Sequence, residues 1–266
     1  MKVEQAKQIA SKAIEELSQA LERGHSEGMR DYLKAMARFH RYSAYNVMLI
    51  LSQRPNATRV AGYQSWKEFG RYVKKGAKGI LVLAPIHRKK AVKELSEQED
   101  SAKVLVGFRG VYVFDLADTD GQPLPTIGET EGNPSGYLDR LKAFVVERGI
   151  TLEYSDAIYP AKGLCSRGMI VLLPGQTPAE EFATLAHETA HALLHQQARR
   201  AETTRSIRET EAEAVAFVVC ESIGLKADRS ADYIQLYCGD KDMLADSLEH
   251  VQRASAEILT AISQSD

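Results

Sequence analysis

The sequence has 266 residues, enough for two domains of ordinary size, and a formal net charge of −2. No apolar run approaches the roughly 20 residues that a membrane-spanning helix needs, and Met1–Ala6 lacks the apolar core of a secretory signal. The three cysteines (Cys165, Cys220 and Cys238) have the spacing of neither a metal-binding pair nor a disulfide framework. These features argue against membrane-spanning and disulfide-stabilised secreted classes, and they predict a cytoplasmic protein with no membrane partner.

The small net charge conceals a division along the chain. Residues 1–116 hold 21 Lys and Arg against 12 Asp and Glu, whereas residues 117–266 hold 13 against 24. Within residues 31–90 the basic excess is sharper, with 13 basic and 2 acidic side chains. Such segregation predicts that the N-terminal part meets a polyanion and the C-terminal part does not.

The N-terminal part is predicted to contain helices followed by paired strands. The apolar pattern favours helices over about 2–22, 28–52 and 65–73. Two β-rich runs, Gly79–Pro85 and Val104–Phe114, are expected to pair with each other. The charged segment 87–103 would connect them.

A linker separates this part from the rest. Segment 118–136 is rich in turn-forming residues and poor in apolar ones. Downstream, the pattern predicts a helix at about 136–148, strands at 151–155 and 168–173, two further helices and a helical C-terminus. The expected fold class is α+β in both halves, with a basic domain at 1–117, a linker at 118–136 and a second domain at 137–266.

The basic residues of the first half are interleaved with aromatic ones. Cations that follow a phosphate backbone, together with rings on which bases stack, are how proteins hold single strands without reading their sequence. The sequence therefore predicts single-stranded DNA as a partner. The candidate contacts are Arg38, Arg41, Tyr42, Tyr45, Arg59, Trp66, Arg71, Lys74, Lys75, Lys78 and Arg88.

The most specific chemical signal is the His-Glu-x-x-His sequence at His187, Glu188 and His191. The run Thr177-Pro178-Ala179-Glu180 is a helix-starting signal, and apolar residues after it predict a partly buried helix. On a helix, positions four apart share one face, so both imidazoles can aim at one ion. Zinc suits such ligands and keeps a position for water, from which Glu188 can take a proton as general base.

A third ligand must come from elsewhere. His195 lies two helical turns from His187 with no intervening glycine turn, and is expected to be a helix-end residue instead. The next predicted helix, 208–219, carries Glu209 and Glu213 on one face, and either could bind the ion while the other orients a ligating histidine. Glu211 points away from them and is expected to be a solvated acid near the helix start.

This arrangement resembles the gluzincin pattern, in which a glutamate on a second helix completes the site. The resemblance rests on His-Glu-x-x-His followed by Glu-x-x-Ala-Glu at 209–213. It implies that Glu209 is the third ligand and that Glu213 is the acidic residue behind a ligand. Zinc is the expected metal, with manganese as the alternative. Tyr233 or Tyr237 is a candidate to stabilise the oxyanion.

Nearly the whole chain is similar to the ArdC-type antirestriction proteins. The similarity is carried by the segments 42–46, 53–63, 66–80, 113–115, 123–125, 208–220 and 230–234. The family implies a single-stranded-DNA-binding N-terminal domain, a zincin-like metallopeptidase domain, and a plasmid- or phage-borne protein that protects incoming DNA from host restriction. The peptidase substrate would be an unknown protein.

Two other interpretations stay open at this point. The chain could be a DNA-associated regulatory or crosslink-repair metalloprotease, which DNA delivers to its substrate. It could also be a single-stranded-DNA-binding protein with a non-catalytic metal site. Retention of Glu188 argues against the last, because a structural zinc site needs no general base.

Overall fold

The computed structural model describes residues 2–89, 103–123, 134, 136–225 and 241–263. Across these residues the fold is α+β, as expected, with helices predominating over small sheets. Backbone proximity divides the chain into two compact units. The first unit comprises Met1–Ala13 and Met48–Leu124, and the second unit comprises Ile14–Val47 and Pro125–Asp266.

Short strands and one long hairpin form the first unit. Its elements are the start of α1 (Lys2–Glu22), the end of α3 (Ala44–Gln53), β1 (Val60–Gly62), α4 (Tyr63–Glu68), β2 (Arg71–Val73), β3 (Ile80–Lys89), β4 (Lys103–Asp115) and β5 (Thr119–Gly121). The predicted pairing of the two β-rich runs is confirmed: β3 and β4 are antiparallel, with Ile80 opposite Val113. One sheet has the order β1-β4-β3, and β2 pairs with β5.

Buried polar contacts fix the end of β4 in this unit. The carboxylate of Asp115, which is buried, accepts hydrogen bonds from the backbone N–H of Thr58 at 2.7 Å and of Ala117 at 3.0 Å. The indole N–H of Trp66 donates to the carbonyl of Phe114 at 2.9 Å. Because buried polar groups are costly when unpaired, the Asp115 contacts fix the end of β4 and the Trp66 contact holds α4 against the sheet.

Three predicted boundaries differ from the observed ones. The helix expected over 28–52 is two helices, because Ser43 accepts a hydrogen bond from the backbone N–H of Asn46 and starts α3 anew. The helix expected over 65–73 ends before Gly70, whose φ of +69° is the left-handed conformation that terminates helices. Part of the predicted linker forms β5; residues 124–133 and 135 lie outside the described chain.

Helices around a small sheet form the second unit. Its elements are α2 (Glu27–Arg38), α5 (Tyr137–Glu147), β6 (Thr151–Tyr154), β7 (Gly163–Ser166), β8 (Met169–Leu172), α6 (Pro178–Leu194), α7 (Gln197–Glu202), α8 (Arg205–Ser222) and α9 (Lys241–Ser263). The sheet order is β6-β8-β7, so β7 is an edge strand among the described residues. β6 runs parallel to β8 and β7 antiparallel to it. α6 packs on this sheet, and α8 packs between α6 and α9.

α2 belongs to the second unit, although it lies within the basic domain that the charge pattern predicted for residues 1–117. Its buried face includes Met29, Leu33 and Met36, and the helix packs against α8. The side-chain amide of Gln252 donates to the carbonyl of Tyr42 at 2.9 Å and ties the segment after α2 to α9. The apolar face of α2, rather than its charge, decides where it packs.

The long helices are amphipathic rather than uniformly apolar. α1 and α9 are 21 and 23 residues long, and both carry several charged residues. Within the described ranges, no helix combines the length and apolar character needed to cross a bilayer.

Candidate metal centre

The helix that carries the His-Glu-x-x-His sequence begins at a complete capping box. The hydroxyl of Thr177 accepts from the backbone N–H of Glu180, and the carboxylate of Glu180 accepts from the backbone N–H of Thr177. Pro178 occupies the first helical position. These contacts satisfy N–H groups that have no partner within the helix, and they confirm the predicted helix start.

α6 and α8 bring three possible metal ligands together. His187 Nε2 and His191 Nε2 are 3.1 Å apart. Glu209 Oε2, from α8, lies 3.6 Å from the first nitrogen and 3.4 Å from the second. The three residues form a cluster that could hold a metal ion. Glu209 is half-exposed, so this side of the cluster faces solvent.

Burial keeps His191 in the form that binds metals. Desolvation, followed by the nearby imidazole of His187, lowers the pKa of His191 to about 4. The imidazole is therefore neutral at physiological pH, and the neutral ring is the one with a free nitrogen lone pair.

Glu188 follows the candidate ligand His187 on α6 and lies against strand β7. Its side chain is buried, and a Cβ placed on Gly163 would come within 2.7 Å of Glu188 Oε1. Only a glycine allows this approach of strand to helix. Burial, with a contribution from the Glu188 carboxylate, also raises the pKa of the Cys165 thiol to about 11.

Glu213 stands behind the first histidine. His187 Nδ1 lies 3.3 Å from Glu213 Oε2, close enough for an ion pair but without the alignment of a hydrogen bond. This is the place that the gluzincin resemblance implied for an acidic residue behind a ligand. Tyr233 and Tyr237, the candidate oxyanion stabilisers, lie outside the described residues.

The expectation for Glu211 is wrong, and that for His195 is incomplete. His195 does end α6, but its side chain is buried, with Nδ1 2.9 Å from His191 Nδ1. Its Nε2 lies 2.9 Å from Glu211 Oε2, and Glu211 is 0% exposed rather than solvated. Because α8 begins at Arg205, Glu211 lies beyond the first turn. Its four-residue spacing from buried Ile207 and Val215 was the signal that could have located it.

The candidate DNA contacts fall in both units. Arg59, Lys75, Lys78 and Arg88 are exposed in the first unit, whereas Arg38, Arg41, Tyr42 and Tyr45 belong to the second. Both arginines of the second group are exposed and both tyrosines half-buried.

Three other candidates already make internal contacts. The guanidinium of Arg71 donates to Thr119 Oγ1 at 2.8 Å and to the Thr119 carbonyl at 3.0 Å, which fastens β2 to β5. Lys74 Nζ donates to the carbonyl of Ala117 at 3.1 Å. Trp66 is 2% exposed, so its ring has no free face for a base, and its burial does not fit the stacking role expected of it.

Three aromatic residues outside the candidate set are better exposed for stacking. Tyr63, Phe69 and Tyr72 are 53%, 55% and 63% exposed in the first unit. The ammonium of Lys67 lies 5.8 Å from the centroid of the Tyr63 ring. In β2, Tyr72 alternates with the half-buried Arg71 and Val73, and this period of two was the available signal.

Comparison with known proteins agrees with this architecture. The family model for the N-terminal domain of anti-restriction factor ArdC matches residues 4–114, and that for the IrrE N-terminal-like domain matches residues 138–225. An uncharacterized Bacillus anthracis protein, pXO2-81, is 25% identical over 273 residues. The match covers 87% of this chain and 46% of that protein, so the chain spans about half the length of this curated relative.

Two crystal structures of the antirestriction ArdC protein from R388 plasmid share the fold. The metal-free structure gives a TM-score of 0.57 at 20% identity, covering 96% of this chain and 98% of the other. The Mn(II)-bound structure gives 0.56 at 21% identity, covering 97% and 99%. The chain therefore has the two-domain architecture of the ArdC type, in which a domain that matches the ArdcN model precedes one that matches the IrrE N-terminal-like model.

Proposed function

We propose that this protein is an antirestriction protein that binds single-stranded DNA and carries a metal-dependent peptidase site. In this proposal His187, His191 and Glu209 hold a divalent ion and Glu188 is the general base. The observation that carries the peptidase part is the convergence of three ligand atoms beside a buried glutamate. The family of the two domains supports the antirestriction part.

The spacing of the ligand atoms suits a divalent ion. Ligand atoms held tetrahedrally at about 2.0–2.2 Å from zinc are about 3.3–3.6 Å from one another. The corresponding separations among His187, His191 and Glu209 are 3.1, 3.4 and 3.6 Å. Two imidazoles favour zinc. The Mn(II)-bound ArdC structure supports manganese as the alternative.

The role of Glu188 follows from its place next to the ligands. When bound, the ion supplies Lewis-acid chemistry by polarising a scissile carbonyl and activating water. The Glu188 carboxylate takes a proton from the attacking water and delivers it to the leaving amine. Its burial against β7 holds the carboxylate in place and limits its access to bulk solvent.

The strand beside Glu188 suits a peptide substrate. β7 is an edge strand, and its outer backbone groups can pair with an extended chain. Gly163 brings β7 into contact with Glu188, so a peptide added along this edge would pass next to the general base. This arrangement favours a protein substrate over a small molecule.

The metal part is tested by titrating the metal-free protein with zinc. Glu209→Ala should bind zinc far more weakly than the wild type, because it removes one of three ligands. Glu221→Gln, an exposed change on the same helix, is the matched control and should leave affinity unchanged. Equal zinc affinity of wild type and Glu209→Ala would contradict the ligand assignment.

The antirestriction part is tested by introducing unmodified plasmid DNA into restricting and non-restricting cells. The wild-type gene should raise plasmid survival only in the restricting host. The Glu188→Gln form should keep the metal and lose peptidase turnover, and proteomic comparison of the two recipient strains would identify the substrate. If Glu188→Gln lost the metal, the general-base assignment would be wrong.

DNA binding by the first unit is tested with the full chain and a labelled oligonucleotide. Lys75→Gln combined with Lys78→Gln should weaken binding on every sequence and reduce the salt slope by about 0.7 per lost phosphate contact. Tyr72→Ala should weaken binding by roughly 1–3 kcal/mol per stacked base and leave the slope unchanged. Arg30→Gln, an exposed cation of the second unit, is the control. Tighter binding to duplex than to single strands would contradict the proposal.

A further inference from the structure

A chain of buried side chains leads away from the candidate metal ligand His191. His191 Nδ1 faces His195 Nδ1 at 2.9 Å, and His195 Nε2 faces Glu211 Oε2 at 2.9 Å. Both His195 and Glu211 are buried, so water does not compete for these contacts. His191, His195 and Glu211 all lie within the second unit.

Glu211 is held as a carboxylate at the far end of this chain. Arg199 donates to both of its oxygens, with Nε 3.4 Å from Oε2 and Nη2 in close contact with Oε1. Arg199 is itself oriented by Asp246, whose Oδ2 lies 2.7 Å from Nη1. A guanidinium carries a permanent charge and can only donate, so its contacts to both oxygens favour the ionised carboxylate.

The positions of the protons follow from this end. An ionised carboxylate only accepts hydrogen bonds, so His195 Nε2 must carry the hydrogen that faces Glu211. Arg199 already balances the charge of Glu211, and His195 as a neutral imidazole has one N–H, which leaves its Nδ1 as an acceptor. His191 Nδ1 must then donate to it, and His191 Nε2 is left bare. That bare nitrogen is the atom that lies 3.4 Å from Glu209 and 3.1 Å from His187 Nε2.

We propose that Glu211, acting through His195, fixes the tautomer of His191 so that Nε2 is free to bind the metal. This inference rests on the proposed metal site but concerns residues that do not touch the ion. Both ligating imidazoles would then have a carboxylate behind Nδ1, Glu213 next to His187 and Glu211 one imidazole further from His191. Such outer contacts orient a ligand and set which nitrogen is available.

Glu211→Gln tests the assignment with almost no change of shape. The new amide has one oxygen and one NH₂ group, whereas Glu211 offers oxygens to both Arg199 and His195. The guanidinium, which can only donate, holds the amide oxygen, and the NH₂ group turns towards His195. His195 must then accept at Nε2 and donate from Nδ1, which moves the proton of His191 to Nε2.

The expected result is a zinc affinity about 10–100-fold below that of the wild type. Adding Arg199→Gln to Glu211→Gln frees the amide to turn its oxygen towards His195, and should recover most of that loss. Glu221→Gln, on the same helix, should bind zinc as the wild type does. A merely structural role for Glu211 predicts the opposite for the double variant, because a second buried contact is removed.

A measurement on the metal-free protein reads the tautomer directly. Nitrogen-15 NMR of the imidazoles should show His191 protonated at Nδ1 in the wild type and at Nε2 in Glu211→Gln. A wild-type His191 protonated at Nε2, or unchanged zinc affinity in Glu211→Gln, would overturn the inference. If the wild type binds no zinc at His187 and His191, the proposed function fails instead, and the NMR result still decides the tautomer.

Discussion

Replacing Gly163 by alanine tests the contact between strand β7 and the general-base candidate Glu188. The added Cβ would lie 2.7 Å from Glu188 Oε1, 2.7 Å from Thr184 Cγ2 and 2.8 Å from Glu188 Cγ. Ordinary contacts of a Cβ begin at 3.4 Å, so each pair is more than 0.5 Å too close. The methyl group can be accommodated only if Glu188 or the strand moves.

The expected effect on stability follows from two opposing terms. Alanine in place of glycine stabilises by about 0.4–1 kcal/mol where the backbone allows it, and the φ of Gly163 does so. Overpacking of a filled interior costs about 1–3 kcal/mol. The net expectation is a loss of roughly 1–2 kcal/mol in the free energy of unfolding. Displacing the Glu188 carboxylate by about 1 Å would lower turnover by about 10²-fold.

Urea denaturation of the full chain measures the first effect against a matched control. Gly28→Ala lies in the same unit, on α2, where its Cβ would meet the side chain of Leu17 at an ordinary 3.6 Å. This control should gain a few tenths of a kcal/mol from better helix propensity. The two variants should therefore change stability in opposite directions. If Gly163→Ala were as stable as Gly28→Ala, the close approach of β7 to Glu188 would be refuted.

Three further outcomes are expected. Because its pKa is raised to about 11, the Cys165 thiol stays protonated at pH 8, and Glu188→Gln should lower that pKa and speed alkylation of the Cys165 peptide, measured by mass spectrometry. Trp66, the single tryptophan, should resist fluorescence quenching by added acrylamide. Trp66→Phe should lower the free energy of unfolding by more than the roughly 1 kcal/mol of the hydrogen bond from Trp66 to the Phe114 carbonyl. Thr177→Ala should lower the free energy of unfolding by about 1 kcal/mol through loss of the helix cap, measured in urea.

Sequence patterns within a single element, or in two neighbouring ones, predicted several helices and one hairpin. The capping box at Thr177 and the apolar periodicity of α6 lie within one helix, and the β3–β4 hairpin follows from two neighbouring β-rich runs. The short strands β1, β2, β5 and β7 were missed, β7 although its partner β8 is the next element along the chain. The other three are three residues long, and each exists because a distant strand pairs with it, which local β-propensity does not indicate.

In the candidate site, the residues that share one helix could be predicted from sequence, whereas those brought together by the packing of two helices could not. His187, Glu188 and His191 share one helix, so their spacing alone predicted a metal site. The choice of Glu209 as the third ligand required the gluzincin resemblance, because its distance to the histidines depends on how α8 packs against α6. The pairing of His195 with Glu211 spans 16 residues and depends on the same crossing. A buried carboxylate in an alanine-rich helix looks like a solvated one until its partners on the neighbouring helices are known.

The boundary between the basic and acidic parts of the sequence does not coincide with the boundary between the two structural units. The segment 14–47 holds five basic and five acidic residues. Its assignment to the second unit therefore leaves the net charge of the first unit unchanged. The first unit keeps 16 basic against 9 acidic residues, and the expected attraction for DNA is still located there. Yet a fragment cut at residue 116 would separate α2 from α8 and expose Met29, Leu33 and Met36. Because large exposed apolar patches favour aggregation, we expect that fragment to be poorly soluble, and substitutions in the full chain are the sounder test of DNA binding. A soluble, monomeric 1–116 fragment in sedimentation would contradict this reasoning.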